Sequence, residues 1–184
     1  NVLRAPVYGT DAGFTTSASA LTSAANMEIT GSFATNTISI STLKIAGSRT
    51  LTINPAQTLT LSAGGVLVTG GNALITGGTA LALGSQALVV RTNLPGDSLE
   101  IQSVVTGTGG LTKGGEGTLI LAAANNQTGT VTINEGTIQL SGSGRLGAAA
   151  ALTMRQGTIL DLNGVTPSTN TNAYNNNGSV TSSA

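Results

Sequence analysis

Residues 107–121 read GTGGLTKGGEGTLIL, six glycines set around one lysine and one glutamate before an alternating apolar run. A glycine-rich loop with a lysine cradles phosphate when Gly-x4-Gly-Lys-Ser/Thr joins a strand to a helix, because backbone N–H groups and the ammonium converge on the anion. The chain contains no Gly-Lys pair, so that chemistry is excluded. Calcium-binding glycine repeats need Asp after the glycines, and Lys113 and Glu116 stand there instead. The remaining reading is a corner, where glycine accepts the positive φ of a tight bend. A second stretch, GSGRLG at 142–147, satisfies G-x-G-x-x-G, with Asp161 at nearly the spacing of a ribose contact. The following AAAALTMRQGTILDL returns to strand cadence instead of building the helix a dinucleotide site requires.

Glycoside chemistry needs several carboxylates on one groove, one to protonate and one to attack or activate water. The densest local set is RTNLPGDSLE, with Arg91, Asp97 and Glu100, while Glu116 and Glu135 could approach one another on successive turns of a coil. The chain has no His and seven acids in all. The reading adopted is solvated charge on an outer face, which also discourages edge-to-edge sticking. No catalytic, cofactor-binding or metal-binding residue is assigned, and no cofactor. Threonine arrays could order water or bind sugar, but TLT at 50–52 and 58–60 and TVT at 130–132 are isolated. Two sequons, at Asn126 and Asn177, are given little weight.

The elements that position these residues must come from an unusual composition. Of 184 residues only 8% are charged and 2% aromatic, with no Trp, His or Cys, and mean hydropathy is +0.24. Disordered chains combine few apolar residues with high net charge, so that class is excluded. Seven basic residues balance seven acidic ones and lie scattered, which excludes the clustered basic footprint of a nucleic-acid binder. No apolar run approaches the ~18 residues of a membrane span. The polar surface must be built from Thr, Ser, Asn and Gly.

From Asn36 the chain reads as short alternating strands closed by Gly, Asn or Ser turns: TLTLSAG, GVLVTGG, NALITGG, TALALGS and QALVV, then TVTINEG, TIQLSGSG and TILDLNG. Leu59, Val66, Leu74, Leu81 and Leu88 fall about seven apart, and Val131, Ile138, Leu152 and Ile159 repeat at seven or fourteen. Seven residues per strand is too short for hairpin meanders, whose strands recur every ~8–12 residues. It fits a chain bending in one sense, three bends closing a coil of roughly 21 residues that stacks parallel on the next. The fold class expected is all-β, a right-handed parallel β-solenoid with about three short strands per coil. Leu59 and Leu61 should lie beneath Leu81 and Leu83. Leu119, Leu121, Ile133, Ile138 and Leu140 should point inward, with Thr118 and Thr132 outward. The organisation expected is an irregular first coil at 1–35, a solenoid at 36–164, and an Asn/Thr-rich edge coil or linker at 165–184.

Residues 107–140, GTGGLTKGGEGTLILAAANNQTGTVTINEGTIQL, resemble the passenger-associated strand repeat of bacterial autotransporters. That pattern is G-x-G-G-L-x-K-x-G-x-G-T-L-x-L, an Asn-containing loop ending in T-G, then T-x-I-x-x-G-T-L-x-L. Residues 141–164 are similar to its usual continuation, and Gln127 stands where the pattern commonly has an aromatic. The resemblance implies a secreted, surface-displayed bacterial β-helix. It implies no activity, since the repeat is a scaffold unit.

The function expected is therefore a non-catalytic extracellular scaffold, either a segment of an autotransporter-like passenger that supports adhesion or a fibre subunit. The alternative is a β-helix that binds or degrades polysaccharide. The expected partners are a surface or glycan ligand and further copies of the chain, stacked end to end through open strand edges. The chain begins at Asn1 with no basic-then-apolar signal segment, and is read as a piece of something longer.

Overall fold

The computed structural model describes residues 6–23, 25–148, 151–165, 173–176 and 178–183, and among them every regular element is a strand. The strands form because apolar residues alternate with Thr, Ser and Asn, the period of a pleated surface that is dry on one side and wet on the other. Thr50–Ile53, TLTI, buries Leu51 and Ile53 completely and leaves both threonines half-buried. Thr118–Leu121 and Thr137–Leu140 do the same with Leu119, Leu121, Ile138 and Leu140.

All recorded strand pairings are parallel, in one sheet of eleven strands and one of eight. The first face climbs through Asn26–Ile29, the later part of Ile38–Ala46, the later part of Thr58–Thr69, Leu88–Thr92, Leu111–Gly114, Val131–Ile133 and Ala151–Met154. The second face climbs through Thr50–Ile53, Asn72–Gly77, Ser98–Ile101, Thr118–Leu121, Thr137–Leu140, Ile159–Asp161 and Ser179–Thr181. A shorter third face joins residues 38–40, 58–60, Ala80–Ala82 and Val105–Thr106. The result is a parallel β-solenoid of about six turns, as the cadence predicts. Leu59 lies in register with Leu81.

Two strands turn a corner without ending. Thr58–Thr69 pairs with Ala80–Ala82 through its first part and with Leu88–Thr92 through its second, with Ser62 and Ala63 exposed at the bend. Gly64 follows at φ 71°, where a Cβ would collide with the Ala87 carbonyl, so the next coil can pack only against glycine. Beyond Thr106 the third side carries no strand among the described residues: 122–130 and 141–148 run as irregular corners.

The inward side chains form one continuous aliphatic core from Ala25 to Leu160. The seven-residue cadence misplaces two of its members. Leu74 is half-buried on the outer side while Ala73 and Ile75 face the core, and Ile159 is 37% exposed between buried Thr158 and Leu160. Seven is odd and alternation has period two, so each corner resets which face a residue takes.

At the first described residues the chain folds onto the outer side of the first face. The Tyr8 ring meets Phe14 edge-on at 5.3 Å and lies 5.1 Å from Lys44 Nζ. Lys44 in turn pairs with Glu28 at 2.6 Å across adjacent strands.

Candidate functional site

The most unusual side chain is Lys113. It lies in Leu111–Gly114 between Val90 and Ile133 on the neighbouring strands, and it is fully buried. The alternation L-T-K puts it on the same side as Leu111, into the core. Nζ donates to the carbonyls of Gly114 at 2.8 Å, Gly115 at 2.6 Å and Glu135 at 3.3 Å. Three donors thus meet three acceptors at the corner between the first and second faces. Burial pushes the ammonium down to about 8, an effect that the Glu135 carboxylate opposes and the Arg91 guanidinium adds to.

Gly115 turns at this corner with φ 75°, and a Cβ there would strike the Thr92 carbonyl. Its N–H donates to Glu135 Oε2 at 2.6 Å, and the same oxygen accepts from Arg91 at 3.3 Å. Both partners of that ion pair are half-exposed, which limits it to about 0.2–1 kcal/mol. The corner loop of the opening motif is therefore tied from inside by Lys113 and from outside by Glu135. The parity of its strand thus turns Lys113 into the core at the corner where the glycine-rich loop is expected to bend.

The carboxylates do not assemble a reaction centre. Asp97 is 4% exposed and accepts from Gly71 N–H at 2.8 Å and Leu94 N–H at 3.0 Å, closing its own loop and fastening it to the coil below. Glu100 lies on the outer side of the second face and accepts from Gln102 at 2.8 Å, and Arg91 faces outward from the first. The set Arg91, Asp97 and Glu100 is thus divided between a corner and two faces. Glu135 is engaged with Gly115 and Arg91, and Glu116 is exposed. Asp161 accepts from Gln139, from Asn163 N–H, and from both the hydroxyl and the N–H of Ser183. These bonds, the Ser183 hydroxyl foremost, hold its carboxyl well below the usual carboxylate range.

In GSGRLG, Arg145 Nε donates to the Asn125 carbonyl at 2.7 Å. An open cleft of about 570 Å³ lies between this corner and residues 163–165. Buried amides stitch the adjoining corner. Asn125 accepts from Val105 N–H at 2.8 Å and donates to the Arg145 carbonyl at 3.1 Å, so one side chain joins three coils. Gln127, at the motif's aromatic position, donates to the Leu146 carbonyl at 2.9 Å while its Oε1 is buried with no protein partner. Among the described residues no group of three or more His, Cys, Asp or Glu could hold a metal ion, and no helix is long and apolar enough to cross a membrane.

Outer hydroxyls come together in a way the sequence conceals. Thr112, Thr132 and Thr153 share one register position on the first face, and Ser98, Thr118 and Thr137 share one on the second. Each ladder is short: Val89 precedes the first and Ile159 follows the second. They arise by stacking between coils, so a search for T-x-T along the chain cannot find them.

Comparison with known proteins bears on the same region. The family model of the passenger-associated-transport-repeat matches residues 111–140, from Lys113's strand through the amide corner to Leu140. A stretch of 50 residues is 48% identical to the adhesin BmaC autotransporter of Brucella suis biovar 1 (strain 1330), covering 27% of this chain and 2% of that protein's length. No solved structure matches. The parallel stacked coils, the transport-repeat match and the likeness to an autotransporter adhesin together support a β-helix similar to those of bacterial autotransporter passengers.

Proposed function

We propose that this chain is a non-catalytic stretch of an extracellular, surface-displayed passenger that holds adhesive surface away from the cell. The observation that carries this reading is the employment of the acids: Asp97, Glu135 and Asp161 all accept backbone N–H groups that shape corners. A carboxylate so engaged is a poor acid or base, because taking up a proton weakens the bonds that hold the corner. The relative's printed name, an adhesin, agrees with a role in attachment. The outer faces are rich in hydroxyl and amide groups and sparse in charge, as suits a stiff, wet spacer. Antibodies raised against the purified segment should label intact cells that express the parent protein; labelling only after permeabilisation overturns surface display. Incubation with a polysaccharide panel should release no product, and any turnover overturns the non-catalytic reading in favour of the polysaccharide-active alternative.

End-to-end association is a second reading, supported by the parallel pairing itself, since the outermost strands of a parallel stack present N–H and C=O groups to a neighbour. In a longer passenger the next coil takes that place; in a fibre a second copy does. Sedimentation of concentrated protein as a strict monomer, with no filaments by negative-stain microscopy, rules out the fibre.

A further inference from the structure

We propose that Asn163 is a guarded modification site: its amide is kept while the strand Ser179–Thr181 and the two serines after it are docked, and is lost as ammonia once they lift away. Asn163 and Gly164 stand at φ 46° and 70°, and the turn they form is closed by Val165 N–H donating to the Leu162 carbonyl at 2.8 Å. Two central residues at positive φ make the primed kind of turn that Asn-Gly serves well. The same dipeptide is the one most open to attack on its own amide, because glycine has no side chain to shield the following nitrogen. In that step the Gly164 nitrogen gives up its proton and bonds to Asn163 Cγ, the Cγ–Nδ2 bond breaks, and ammonia leaves. Water then opens the cyclic imide to aspartate or isoaspartate.

The docked strand withholds that nitrogen. Gly164 N–H donates to Ser182 Oγ at 3.1 Å, and Asn163 N–H donates to Asp161 Oδ1 at 3.0 Å. Asp161 also takes the N–H and the hydroxyl of Ser183, and Leu162 N–H donates to the Thr181 carbonyl at 2.8 Å, so turn and strand hold each other. Little else holds the strand. Ser179, Val180 and Thr181 are all exposed, whereas Ile159–Asp161 beneath them buries Leu160 and Asp161. A strand with no buried side chain opens at the low end of the range of local free energies, so the guard lifts far more often than the chain unfolds. Each opening frees the Gly164 nitrogen, and each reaction is final. Isoaspartate adds a carbon to the backbone of the turn, and either product sets a second carboxylate near Asp161, so the strand does not dock again as before. The site records the openings of this edge.

The test is incubation of the purified chain in mildly alkaline buffer, with amide loss at Asn163 followed by peptide mapping that separates it from Asn177, the other asparagine before a glycine. Loss should be many-fold slower than in the same chain unfolded in urea. It should rise several-fold in Ser182→Ala, which removes the acceptor of Gly164 N–H and leaves the Thr181 carbonyl, and with it the β content, in place. Aged chains should also exchange the Leu162 amide faster than fresh ones, because the bond to Thr181 goes with the strand. A folded chain that loses the Asn163 amide as fast as the unfolded one overturns the proposal. So does a rate in Ser182→Ala equal to that of the unsubstituted chain, and equal exchange at Leu162 in aged and fresh protein overturns the irreversible release.

Discussion

The coils before Thr106 and those after it solve the same problem differently. Between residues 38 and 106 the chain has strands on three sides, and its inward ladders are aliphatic: Ile40 with Leu61, Leu59 with Leu81, Val66 with Val90. Its corners bend at glycine or turn within a continuous strand, and one is closed by the buried Asp97 carboxylate. Beyond Thr106 the third side shows no strand among the described residues, and buried amides bridge its irregular corner, Asn125 and Gln127, while Lys113 fills the corner between the first and second faces. The ladder of backbone bonds saturates N–H and C=O groups at no cost in side-chain placement. An irregular corner leaves those groups unpaired, and a buried unpaired group costs about 1–3 kcal/mol, so a side chain must reach in to meet them. The part of the chain that matches the transport repeat is the part that carries these polar fasteners. The Asn-containing loop of that repeat is therefore legible as the sequence cost of doing without a third strand.

Deletion of core volume should hurt both regions most and equally. Leu121→Ala after Thr106 and Leu61→Ala before it should each lose about 2–5 kcal/mol in chemical denaturation, from lost burial and an unfilled cavity. A loss at Leu121 far smaller than at Leu61 would mean that the later coils are held chiefly by their polar corners.

Proton linkage should separate the regions next. The Lys113 pKa falls from 10.5 unfolded to about 8 folded, so between these values the unfolded chain binds more protons and stability must rise with pH. The charge-burial cost is fully present below pH 8 and is relieved, by up to about 3 kcal/mol, as pH approaches 10.5. Denaturation midpoints measured from pH 7.5 to 10.5 should climb in the native chain and lose that climb in Lys113→Met, which removes this titration and leaves the others. An identical climb in both removes Lys113 from the linkage.

The amide corner should respond more modestly and on one side only. Asn125→Ala strands the Val105 N–H and Arg145 C=O, with an expected loss of about 1–3 kcal/mol and faster hydrogen exchange at Val105. Amides of Leu51 and Ile75, held in ladders below, should keep their protection. Spread of the loss to those strands would show the two regions unfolding as one unit.

The smallest effect belongs to the outer face. Thr132→Ala removes a half-buried hydroxyl with no core contact to lose, and should change stability by no more than about 0.5 kcal/mol. A larger loss would give the hydroxyl ladder Thr112–Thr132–Thr153 a cross-coil energy of its own.

Sequence by itself determined the fold class, because strict alternation bounded by turn residues every seven positions admits little except a parallel coil. It determined the inward set Leu119, Leu121, Ile133, Ile138 and Leu140, each within one unbroken run of alternation, and the register of Leu59 on Leu81. It identified 107–140 as the distinctive unit. Tertiary structure alone decided what depends on parity across a corner or on stacking between coils. Leu74 and Ile159 turn outward because the corners before them shift the phase of alternation by one residue. The hydroxyl ladders and the cross-coil bonds of Asp97, Asn125 and Asp161 join residues 19 to 26 positions apart, through offsets that vary from coil to coil and leave no fixed spacing to read. Lys113 falls between the two cases. Its direction was written in L-T-K, but that a charge would be tolerated there follows only from three carbonyls that two successive corners bring within reach of its ammonium.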